Sequence, residues 1–74
     1  MNISVTGTIE KKDFGLGTWA LVTESNETYE LYQPTPELQK NQIKVKIEGI
    51  IRDDIMTLAM IGAVLEVKSF EILG

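Results

Sequence analysis

Seventy-four residues suffice for one small domain, 1–74, and leave no room for a second. The chain has no cysteine and no histidine, which excludes disulfide staples, thiolate nucleophiles, Cys/His zinc sites and imidazole general bases. Seven basic against eleven acidic residues give a net charge of −4, opposite to the Lys/Arg excess from which phosphate-backbone binding draws its affinity. A chain of this size buries only about 60% of the surface its unfolded form exposes, so the hydrophobic core must carry the fold. Met1-Asn2-Ile3-Ser4-Val5 lacks the basic start and apolar run of a signal peptide. The longest charge-free run, Ile55 to Leu65, has 11 residues and is too short to span a bilayer. A soluble cytoplasmic protein is expected.

Residues 2–10 alternate, with Ile3, Val5, Gly7 and Ile9 on one face and Asn2, Ser4, Thr6, Thr8 and Glu10 on the other. This is a strand with one buried face. Gly7 falls on the inward side, where a missing side chain suits a bulge or sharp bend. Lys11 to Gly17 reads as a loop, its glycines free to turn.

Residues 18–23 and 28–32 are the second and third strands, joined through Glu24-Ser25-Asn26-Glu27. In the third, Tyr29 and Leu31 share the apolar face while Thr28, Glu30 and Tyr32 face away. A two-residue Ser25-Asn26 turn would set Trp19 opposite Tyr32 as an outward aromatic platform. A three-residue loop with Asn26 left-handed would pair Leu21 with Tyr29 and set Trp19 opposite Leu31, in the core. The second is favoured, because Asn tolerates the left-handed position. The first would also put Glu24 directly opposite Glu27 and leave only Ala20 and Val22 to fill the core.

Pro34 ends the third strand, and Thr35 to Lys40 reads as a short helical turn. Thr35 is placed to cap it, Pro36 to occupy its first position, Glu37 to suit its positive end and Asn41 to close it left-handed. Residues 42–52 form the clearest strand, with Ile43, Val45, Ile47, Gly49 and Ile51 inward. Asp53-Asp54 is a turn signal. Met56 to Met60 is an uncharged segment that could fold back as a hairpin arm, broken at Gly62. In the last strand, 63–73, the apolar phase slips from Leu65 and Val67 to Phe70 and Ile72, as at a bulge.

The expected fold is all-β with one short helix: a five-stranded, OB-fold-like Greek-key barrel with a helical turn between strands three and four. An SH3-like barrel would lack that turn. The pattern Val5-x-Gly7-x-Ile9, Gly17-x-Trp19-x-Leu21, Tyr29-x-Leu31, Leu38, Val45-x-Ile47-x-Gly49, Thr57-x-x-Met60-x-Gly62 and Leu65-x-Val67 spans nearly the whole chain. It resembles small, stand-alone, OB-fold-like bacterial proteins of uncharacterised activity. The resemblance implies an isolated barrel without a catalytic partner domain. Such barrels bind oligonucleotides, oligosaccharides or other proteins.

No catalytic constellation emerges. Asp53 and Asp54 are adjacent, so on an extended chain they point apart and cannot share a proton or a water. No Asp-rich loop has Ca²⁺ spacing, and Gly15-Leu16-Gly17 is too short to cradle a phosphate. The chain is read as a non-enzyme with no metal and no cofactor.

The candidate ligand or partner surface is Lys11, Lys12 and Phe14 of the first loop, Tyr32 of the third strand, and Arg52. Single-strand binding wants aromatic platforms with basic neighbours, whereas Glu24, Glu27 and Glu30 bring acid to that side. Nucleic acid is therefore the disfavoured partner class. Met56, Leu58 and Met60 are the candidate apolar interface, since a small barrel covers only one face of this uncharged segment. A protein-interaction module is expected first. An oligonucleotide or oligosaccharide binder across strands two and three, and a structural homo-oligomer such as a homodimer, are the alternatives.

Overall fold

The computed structural model describes residues 1–12, 18–56 and 61–74. It contains β1 (Asn2–Lys12), β2 (Thr18–Thr23), β3 (Thr28–Tyr32), a 3₁₀ turn (Pro36–Leu38), β4 (Lys44–Ile51) and β5 (Ala63–Ile72). The five strands lie side by side in the order β1–β2–β3–β5–β4, and β4 returns to β1, closing the mixed sheet in a ring. Every pairing is antiparallel except β3 with β5.

β1 closes the ring by serving two neighbours. It pairs with β4 over Asn2–Thr8 and with β2 over Gly7–Lys12. Gly7 sits at the hand-over, where a Cβ would run into the Val22 carbonyl oxygen. The expected bend glycine is thus a close-approach glycine. The strand continues past Glu10 because β2 offers partners, Trp19 to Lys11 and Thr18 to Lys12. Both lysines therefore sit on a strand end rather than in a loop.

The β2–β3 hairpin has the three-residue loop. Asn26 is left-handed at φ 65°, Thr23 N–H donates to Glu27 O at 2.9 Å, and Leu21 faces Tyr29. Trp19 accordingly packs against the core, but only half-buried. Lys11 Nζ lies 5.9 Å from its ring centroid, within cation–π range. The core-side placement of the indole holds, but its strand-end position leaves part of the ring to the lysine and to solvent.

Two end signals differ from expectation. The 3₁₀ turn is held by Leu38 N–H to Thr35 O (2.9 Å) and Gln39 N–H to Pro36 O (3.1 Å), and Thr35 caps through no side-chain bond. The left-handed residue is Gln42, φ 67°, not Asn41. Asn41 Oδ1 instead accepts the Lys11 N–H at 3.0 Å, prolonging the β1 edge beyond the start of β4. That kink also delays β4 to Lys44.

The apolar slip in the last strand is a bulge. Glu48 faces Ser69 and Gly49 faces Val67, leaving Lys68 as the extra residue. Ile9, Leu21, Leu31, Leu38, Val45, Ile47 and Leu65 form the buried cluster. Each large member contributes about 1.5–3 kcal/mol by burial. The hairpin arm expected at Met56–Met60 lies largely outside the described residues.

Candidate binding surface

The outward side of β2 and β3 is less open than its alternation suggests. Ala20 faces Glu30, flanked by Glu10 on β1 and Val64 on β5. Ala20 is fully buried, and Glu30 is only 7% exposed. The expectation that Glu30 faces solvent fails because neighbours from both sides crowd it. A carboxylate thus occupies the middle of this face.

Lys12 Nζ lies 2.8 Å from Glu10 Oε1 on the same side, which takes up the charge an anionic ligand would need. Lys11 stays with Trp19. Tyr32 is half-buried and faces Glu66 in register. Phe14 lies outside the described residues. Lys11 and Lys12 are thus engaged on Trp19 and Glu10, while Tyr32 faces the same Glu66 that Arg52 binds.

Arg52 organises a charged cluster where β4 ends. Its backbone N–H donates to Val64 O at 2.8 Å, tying the chain after β4 to β5. Its guanidinium grips Asp54 through Nε–Oδ1 at 2.9 Å and Nη2–Oδ2 at 2.8 Å. Nη1 reaches Glu66 Oε1 at 2.6 Å, and Lys68 Nζ takes Glu66 Oε2 at 3.2 Å. These charge-assisted bonds, the two-pronged one above all, fix the loop's shape. The Arg52 hydrogen bonds, joined by a backbone bond, pull the Asp54 carboxyl down to about 2. Arg52 and then Lys68 lower Glu66, and Asp54 first, Glu66 second, raise Arg52.

Beside this cluster lies an open groove of about 380 Å³, its apolar lining drawn from Met1, Ile51, Ile55 and Val64, with Arg52 and Asp53 on its rim. Met56, next in the chain after Ile55, is 89% exposed, and Met1 is 84% exposed. Leu58 and Met60 lie outside the described residues. Arg52, and Ile55 next to Met56, both line this groove, so the two candidate sets adjoin it along one loop.

Asp54, Glu66 and Lys68 were not legible as site residues. Arg52-x-Asp54 carries a local signal, two positions apart on one turn. Glu66 lies 14 residues from Arg52, and only the β4–β5 register brings them together. Among the described residues no group of three or more acidic or metal-ligating side chains is arranged to hold a metal ion. The chain matches no family model, no curated protein and no solved structure. What stands is a small all-β domain with a ring-like mixed sheet, with no family identified.

Proposed function

We propose that this chain is a non-catalytic, OB-fold-like binding module whose ligand is a protein, held at the end marked by Arg52 and Met56. The strand order, with a 3₁₀ turn after β3, supports the OB-like barrel. One observation carries the functional reading: an exposed Met56 follows Ile55, which lines an apolar groove together with Arg52 and Asp53, and Arg52 is itself held by Asp54 and Glu66. Methionine and arginine are enriched at protein interfaces, and an adaptable thioether over an apolar floor with an ordered charged rim suits such a contact. The absence of cysteine and histidine from the sequence supports a non-catalytic role.

A photo-crosslinking side chain at position 56 tests it. A discrete protein adduct is expected, weakened by Arg52→Glu and absent when the same group replaces exposed Lys46. An adduct that nuclease removes would refute the reading. Oligonucleotide or oligosaccharide binding across strands two and three draws support from Lys11 over Trp19 alone. Glu10 and the buried Glu30 weigh against the oligonucleotide.

A further inference from the structure

Among the described stretches of strand with a ladder partner on one side only, two run for five residues or more. On β5 the pairing with β3 stops at Glu66, leaving the outer edge of 67–72. On β1 the pairing with β2 starts at Gly7, leaving the outer edge of 2–6. The β5 edge carries the devices that prevent edge-to-edge association: a bulge at Lys68 and charges at Lys68 and Glu71. The β1 edge carries none of them. It has no charged side chain and no proline, and its register against β4 runs from Asn2 to Thr8 without a shift.

We infer that this β1 edge receives the same edge of a second copy of the chain, antiparallel about a two-fold axis at Ile3. This edge shares Met1 with the groove at the Arg52 end and is otherwise made of different residues. Ile51 N–H donates to Met1 O and Ile9 N–H to Ile43 O. Odd residues of β1 therefore direct their backbone groups at β4, and Asn2 and Ser4 direct theirs outward. In the two-fold pairing Asn2 and Ser4 of opposite copies exchange both N–H···O bonds. Ile3 meets Ile3, and Met1 meets Val5, on the inner face. Like is set against like throughout, as a self-complementary contact requires.

Burial agrees. Ile3 and Val5 pack on the core yet stay only half-buried, and Met1 is 84% exposed. Charge agrees as well: copies bearing −4 each approach with least repulsion along an edge without charged side chains. A short edge contact is small, so a dissociation constant on the order of 100 μM is expected.

Light scattering across a concentration series tests the inference. The weight-average mass should rise from 8.3 kDa towards twice that value. Ser4→Pro deletes an outward N–H without removing a bond to β4, a position edge strands tolerate. Ser4→Lys adds charge to the edge and leaves the backbone intact. Both should weaken dimerisation at least about tenfold with an unchanged circular dichroism spectrum, since edge charge and edge proline block pairing. A monomer at every concentration up to about 1 mM, a range that exposes weak contacts, overturns the inference. So does a dimer that survives Ser4→Lys, or one abolished only by Met56→Lys.

Discussion

Gly49 lies where β4 and β5 change register, and a Cβ there would run into the Glu66 carbonyl oxygen and lie 3.1 Å from Leu65 Cδ1. The bulge at Lys68 and the missing side chain at 49 are two halves of one solution: the strands come closer than any side chain permits. Gly49→Ala is expected to destabilise by about 1–3 kcal/mol, the range for overpacking a filled site. In a thermal melt that is a drop of roughly 4–8 °C per kcal/mol for a domain this small. Gly74→Ala, with nothing within 4 Å of its added Cβ, is the matched control and should melt with the parent. At this scale the sequence was readable where one residue type answers one need. Gly7 and Asn26 each stood out, whereas Gly49 was legible only as an inward position of its strand. Gln42 did not, because Asn41 is the better left-handed residue by intrinsic preference, and its side chain is engaged on the Lys11 N–H instead.

At the scale of elements, the hairpin register follows from the loop. Asn26 at φ 65° makes three residues enough to reverse the chain, and that count sends Leu21 and Trp19 inward. Asn26→Gly should leave the urea midpoint nearly unchanged, while Asn26→Val should cost about 1–2 kcal/mol, the steric penalty of a left-handed conformation. Equal midpoints for both variants would mean that the loop does not set the register. The phase slip in β5 was legible for the same reason: alternation makes any insertion visible. The burial of Glu30 was not, since it depends on Glu10 and Val64 arriving from strands distant in sequence.

The loop after β4 has a pH signature of its own. Asp54 ionises at about 2 in the folded chain against an ordinary 3.8, and Glu66 also lies below its usual value. Both are depressed, so the stability they contribute is fully present above their ordinary values and is lost as pH falls through the folded ones. Unfolding midpoints should therefore decline between about pH 5 and pH 2, and Arg52→Gln should flatten that part of the decline. A slope unchanged by the substitution would show that other carboxylates carry it.

At the scale of the whole molecule, the five strands close into a ring. Its core is filled by side chains from all five strands and by Leu38 of the 3₁₀ turn. The acidic balance is reinforced where an OB-like surface would need cations, with Glu30 buried at its centre and Lys12 held by Glu10. The fold was largely legible in the sequence because strand alternation and turn residues act locally. The grouping of Arg52 with Glu66 and the apolar groove was not, because closure of the ring creates it.

The central claim, a protein contact at the Arg52–Met56 end, is tested most directly by amide-shift titration. Labelled chain would receive a protein fraction of its own cell extract and, separately, mixed-sequence single-stranded oligonucleotides. The account predicts shifts confined to Ile51–Met56 and Val64–Lys68 with the protein fraction. It predicts no oligonucleotide binding tighter than roughly 10 μM at physiological salt, because the electrostatic contribution is missing. Saturable, salt-sensitive oligonucleotide shifts along β2 and β3, with the Arg52 end silent, would contradict it.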